Sequence, residues 1–193
     1  MGIVCGVGIN DRSRPCFIDG VKTKEYTHWS SMIYRCYCKK HQARQPTYSE
    51  CIVSDNFKSY SYFYDWCRNQ VGFGNVGFEL DKDLLIKGNK LYSEDTCVFL
   101  PKKINSMIEK SKLIRGDFPI GVHFDKDRAK FVATIKINGK KIFIGRYESS
   151  NDAFLAYKIK KEAILKECAE AFKEHLDKRS YLAMLKYNVD IND

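Results

Sequence analysis

The chain has 193 residues, of which 44% are apolar and 13% aromatic, enough for packed cores and too many for a disordered chain. Lysine and arginine number 33 against 24 acidic residues, giving a formal charge of +9 and a pI near 9.1, a balance that favours a polyanionic partner. The length fits one medium domain or two small ones, and no stretch approaches the ~20 consecutive apolar residues of a membrane span, so a soluble protein with no membrane partner is expected.

The opening MGIVCGVGIND has neither the basic start nor the long apolar run of a secretory signal, and the eight cysteines are scattered. Both features point to a reducing cytoplasm. From Tyr26 to Tyr37 the residues Trp29, Met32, Ile33, Cys36 and Tyr37 recur at helical spacing, with Thr27 as the expected cap. Just beyond, Cys36, Cys38 and His41 form a CxCxxH run that lacks the paired CxxC of a structural zinc site, and whether it binds a metal stays open. A second helix is expected from Asn56 to Asn69, carrying Phe57, Tyr60, Phe63, Tyr64, Trp66 and Cys67.

Aromatics interleaved with Arg35, Lys39, Lys40, Arg44, Lys58 and Arg68 could line a nucleic-acid surface. The competing explanation, rings in the core and cations in water, is favoured residue by residue, so none of these is named as a site. The glycine-rich QVGFGNVG reads as a loop, because no strand precedes it and no helix follows.

The stretch FELDKDLLIKGNKLYSEDTCVFLPKKIN reads as a strand over Gly77 to Asp83, a loop over Lys87 to Lys90, and a strand over Asp95 to Leu100. A helix follows with Pro101 near its first turn and Ile104, Met107 and Ile108 inward. SKLIRGDFP is a polar, glycine- and proline-punctuated connector. From 121 to 147 the pattern alternates, with Phe131, Ala133 and Ile135 on one face and Lys130, Val132, Thr134 and Lys136 on the other. Asn138-Gly139 is a strong hairpin signal, since both central residues of a type I′ turn need positive φ. Ser149 or Ser150 then caps a helix whose Ala153, Ala156, Tyr157 and Ile164 can lie on the sheet.

The segment GVHFDKDRAKFVATIKINGKKIFIGRYESSNDAFLAYK resembles the Apetala-two, or ethylene-response-factor, type of DNA-binding domain. The resemblance implies that the sheet enters the major groove of double-stranded DNA, which a β-ribbon can do. Carried over by position, the groove-facing candidates are His123, Arg128, Lys130, Thr134, Lys136, Lys141 and Phe143. Lysine stands at 136 and 141 where the plant proteins use arginine, which shifts the expectation from bidentate guanine reading toward phosphate contacts.

A Trp-containing helical front, then LDKDLLIKGNKLYSEDTCVFLPKKIN, then this module, resembles over nearly the whole chain the HNH homing endonucleases common in bacteriophages. That resemblance implies a ββα-metal site with Asp81 in the place of the first-strand metal ligand or base, Thr96 in that of the loop asparagine and Asn105 in that of the helix ligand. Asp83 is a further carboxylate nearby. Asp81 and Asn105 would hold Mg2+, a hard cation suited to oxygen ligands. The chain departs from the family where an imidazole is normally found. Leu80, Asp81, Lys82 and Asp83 occupy that strand end, and all four histidines (28, 41, 123 and 175) lie outside the stretch. An aspartate, with an ordinary pKa of about 3.9, is a poor base at neutral pH. The alternative role for Asp81 and Asp83 is to cap loops or to pair with Lys82, Lys87 and Lys90.

The sequence therefore predicts an α+β protein in three parts. A helical N-terminal part and an HNH-like ββα unit fill 1–115, a three-stranded antiparallel sheet packed on one helix fills 116–176, and a tail runs over 177–193. Its expected function is sequence-specific binding of double-stranded DNA by occupancy, as a transcriptional repressor does. The rival is an active Mg2+-dependent HNH endonuclease, and a homodimer is left open.

Overall fold

A computed structural model of the chain describes residues 1–108 and 117–192. They group into two compact units: Met1–Pro101 with His175–Ser180, and Lys102–Glu174 with Tyr181–Asp193. The domain boundary expected after residue 115 and most of the SKLIRGDFP connector lie outside the described residues.

The first unit opens with two antiparallel hairpins, β1 (Gly2–Val4) with β2 (Gly8–Asn10) and β3 (Phe17–Ile18) with β4 (Val21–Lys22). Helix α1 (Lys24–Tyr37) starts one turn earlier than the apolar periodicity suggests, because the hydroxyl of Thr23, rather than Thr27, accepts from the Tyr26 amide at 3.2 Å. Thr27 instead returns its hydroxyl to the Thr23 carbonyl. After α2 (Lys39–Arg44), strand β5 (Ile52–Val53) pairs in parallel with β7 (Leu91–Tyr92).

The single helix expected over Asn56–Asn69 is two, α3 (Asp55–Lys58) and α4 (Tyr60–Arg68). Ser59 separates them: its backbone is extended and its side chain accepts from the Tyr62 amide, so it ends one helix and caps the next. Apolar spacing carries through the break, and a cap inside a periodic run leaves no trace in it.

Strands β6 (Phe78–Asp81) and β8 (Val98–Pro101) pair antiparallel and are both shorter than the pattern suggests. Pro101 closes β8 opposite Phe78 instead of opening a helix. Trp29, Met32, Ile33 and Cys36 of α1 pack with Phe57, Tyr60, Phe63 and Cys67 and with Leu80 and Phe99 in one buried cluster. Trp29 is fully buried, and its indole N–H donates to the Phe57 carbonyl at 2.9 Å, so the polar atom that burial would strand is satisfied.

In the second unit, α5 (Lys102–Ile108) buries Ile104, Met107 and Ile108 as expected. Strands β9 (Val122–Asp125), β10 (Lys130–Ile137) and β11 (Lys140–Tyr147) form an antiparallel sheet with β10 in the centre. Asn138 and Gly139 turn the β10–β11 hairpin with φ of 50° and 78°, the values a type I′ turn needs. Helix α6 (Ser150–Ala171), capped by Ser149, packs against all three strands. Within the part expected as a tail over 177–193, Lys178–Leu185 form α7, whose first three residues group with the first unit, and Met184 and Val189 are buried. The Val189 amide donates to Glu162 of α6, and Lys158 donates to its carbonyl.

Gly121 precedes β9 with φ of 79°, and a Cβ there would meet the Tyr157 ring of α6 at 2.1 Å. Gly121→Ala is expected to destabilise the fold by more than about 1 kcal/mol, since strain and overlap add. Thermal unfolding checks this, and a melting temperature equal to the parent's would contradict it.

Candidate nucleic-acid interface

Register fixes which side chains share a face of the second unit's sheet, because directly paired residues in an antiparallel sheet project to the same side. Val132 pairs with His123 and with Arg146, Lys130 with Asp125, Thr134 with Phe143, and Lys136 with Lys141. One face therefore gathers His123, Lys130, Thr134, Lys136, Lys141 and Phe143, six of the seven sequence candidates. Phe131, Ala133 and Ile135 lie on the other, where Ala133 and Ile135 are buried. Arg128 sits in the β9–β10 turn, exposed, and its guanidinium meets Asp125 at 3.3 Å.

The same face carries Arg146, which alternation alone puts on the opposite side. The register shifts between Ala133 and Thr134: Ala133 faces Gly145 while Thr134 faces Phe143, so Ile144 is an unpaired extra residue in β11. A bulge of one residue inverts the side on which everything beyond it projects. Phe143 and Arg146, three apart, thereby become neighbours, and the Arg146 guanidinium lies 4.9 Å from the Phe143 ring centroid.

Charge on this face is unevenly committed. Lys130 is paired with Glu148, and Asp125 receives both Arg128 and, at 3.7 Å, Arg146. Backbone and side-chain hydrogen bonds from Arg128, with the charges of both arginines, outweigh burial and hold Asp125 below the usual carboxylate range. His123 is exposed, yet partial desolvation and the nearby Lys141 charge lower its pKa. Lys136 and Lys141 are both exposed, stand directly opposite each other and have no ion pair among the described residues. Like charges directly opposite across a sheet repel, and a phosphate between them would relieve that. Phe143 is 53% exposed, an apolar surface beside these cations.

The ββα candidates are placed differently. Asp81 is buried, and its Oδ2 accepts from the amides of Asp83 at 2.9 Å and Leu84 at 2.8 Å, which makes it the staple of the turn after β6. Burial, helped by the Asp83 charge, pushes its pKa up to about 6 against the pull of those two amides. Asp83 is paired with the Lys82 ammonium at 2.6 Å, which also donates to the Asn89 carbonyl and lies 5.6 Å from the Tyr92 ring centroid. The Thr96 hydroxyl is buried and donates to the Leu91 carbonyl at 2.7 Å. Asn105 is buried on α5, in the second unit, whereas Asp81 and Thr96 belong to the first.

This donor set does not fit a resident Mg2+. Asp81 already serves two amides, Asp83 already holds a cation, and among the described residues no three His, Cys, Asp or Glu side chains converge. His28 does reach this hairpin, but its ring packs edge-on against Phe99, 5.2 Å between centroids, on the Leu80 and Phe99 side and away from Asp81. Burial lowers its pKa.

Several of the other residues raised by the sequence have partners within the first unit. Cys36 is buried in the core with its thiol pushed up to about 12 by burial, and His41 packs between the Tyr34 and Tyr48 rings; among the described residues no three His, Cys, Asp or Glu side chains group as metal ligands, CxCxxH included. Arg35 lies over Tyr48 and Tyr92, Lys58 pairs with Asp55, and Arg68 pairs with Glu25. Gly72, Gly74 and Gly77 turn a loop with positive φ. Among the described residues, no helix is long and apolar enough to cross a membrane. Protein-family models, curated proteins and solved structures were each compared with the chain, and none matches.

Asp81 offers a test of the turn-staple role. Its folded pKa, about 6, lies above the unfolded value of about 3.9. Its contribution is therefore fully present below the unfolded value and is lost as pH rises through the folded one. From about pH 4 to above pH 6 the parent is expected to lose roughly 2 to 3 kcal/mol of stability that Asp81→Asn keeps. Denaturant unfolding across that range measures the difference, and parallel pH profiles would contradict it.

Proposed function

We propose that this protein binds double-stranded DNA through the β9–β11 face and acts by occupying its site, in the manner of a repressor derived from a phage homing endonuclease. The observation that carries the reading is the gathering of Lys136, Lys141, Arg146 and the exposed Phe143 on one face, with Lys136 and Lys141 opposed and unneutralised among the described residues. Duplex DNA supplies what that face lacks: phosphates for the lysines and a groove wide enough for a two-stranded ribbon. The Apetala-two resemblance gives the same docking mode, and the net charge of +9 suits it.

Occupancy rather than cleavage follows from the duties of the ββα residues. A base or metal ligand must be available to water and substrate, and Asp81 is turned inward to its own turn while Asp83 is neutralised by Lys82. Mg2+ or Mn2+ added to the full chain with duplexes from its own genomic neighbourhood is expected to give footprints and no cuts. Cleavage by the parent that disappears in Asp81→Ala would replace this reading with the nuclease.

Binding itself is tested by salt. Log affinity is expected to fall linearly with log salt, and Lys136→Ala and Lys141→Ala should each reduce the slope by about 0.9 if each lysine neutralises one phosphate. Affinity independent of salt, or slopes unchanged in both variants, would reject the interface.

A further inference from the structure

Resting on the DNA-binding reading, we infer that Arg146 is the base-reading residue of this face, specific for guanine, and that Asp125 is its positioning residue. The lysines of the face are point charges on flexible stems, suited to phosphate and poor at telling one base from another. Arg146 is different in kind. Its planar guanidinium can donate two parallel hydrogen bonds to the O6 and N7 acceptors that guanine alone presents together in the major groove.

Three features prepare it for that task. The unpaired Ile144 turns Arg146 onto the Lys136, Lys141 and Phe143 side of the sheet. The Phe143 ring, 4.9 Å from the guanidinium carbon, gives the planar group a surface to lie against and limits its rotamers. Asp125 faces the Nε of Arg146 at 3.7 Å. With Nε turned to a carboxylate, the two terminal nitrogens are left as the outward fork. The same carboxylate also holds the Arg128 guanidinium and accepts from the Arg128 amide at 3.3 Å, so it is fixed from the turn side.

Asp125 has a second effect. A carboxylate in the groove wall repels phosphate, so it disfavours sliding Arg146 onto the backbone and keeps the guanidinium for the base edge. The half-exposed state of Arg146, 45% for its side chain, leaves the fork reachable.

The test is selection of binding sites from a random duplex library by the full-length parent and by Arg146→Lys, Arg146→Ala and Asp125→Asn, with thermal unfolding to show that each variant folds. The parent is expected to enrich a motif containing guanine. Arg146→Lys keeps the charge and loses the fork, so it should enrich the same motif with the preference erased at one guanine, where discrimination falls roughly 10- to 100-fold. Asp125→Asn should broaden that same position and leave the others alone, which a merely structural role would not do. If Arg146→Lys and Arg146→Ala enrich the parent motif unchanged, or weaken all sequences equally, Arg146 is no base reader while the DNA-binding reading stands. A parent that enriches no motif overturns both.

Discussion

One unpaired residue in β11 governs the chemistry of the second unit. Were Ile144 paired instead of bulged out between the positions facing Ala133 and Thr134, strict alternation would set Arg146 on the side opposite Phe143, Lys141 and Lys136. With the bulge, a guanidinium, two lysines without an ion pair among the described residues and an exposed aromatic ring share one face, while Gly145 and Tyr147 keep the register of Ala133 and Phe131 on the other. The bulge thus satisfies two demands at once. The strand end next to α6 stays in phase with its packing, and the hairpin end keeps its cations outward.

In the first unit the core aromatics and several of the cations find partners within the unit. Trp29, Phe57, Tyr60 and Phe63 lie in its core, and Arg35 and Lys82 both lie over the Tyr92 ring, with Arg35 also over Tyr48. Cations over rings desolvate at little loss and need no external anion. LDKD behaves likewise: Asp81 closes a turn and Lys82 ties Asp83 to the Asn89 carbonyl. A sequence that reads as a degenerate metal site thus has a complete structural account in hydrogen bonds.

Features written in local chemistry were legible. Asn138-Gly139 demands a type I′ turn, Ser149 caps α6, and the alternation about Ala133 and Ile135 marks the buried side of β10. Six interface candidates fell on one face because they sit in strands whose pairing the hairpin turn fixes. Arg146 was missed because period-two counting assumes no bulge, and its only sequence signal is the odd spacing from Phe143. Thr23 and Ser59 were missed because a cap is a hydrogen bond that apolar spacing does not encode. For Asp81 and Asp83 the alternative of turn capping and pairing with Lys82 was legible in residue type, and the structure has Asp81 capping the turn and Asp83 paired with Lys82.

The most direct measurement is backbone-amide NMR of the full chain titrated with a duplex that it binds. The account predicts shift changes concentrated in β9, β10 and β11, largest around Lys136, Lys141, Phe143 and Arg146, with the first unit's core amides unmoved. Changes concentrated on α1 and α4 of the first unit, or a duplex bound without perturbing β10 and β11, would contradict it.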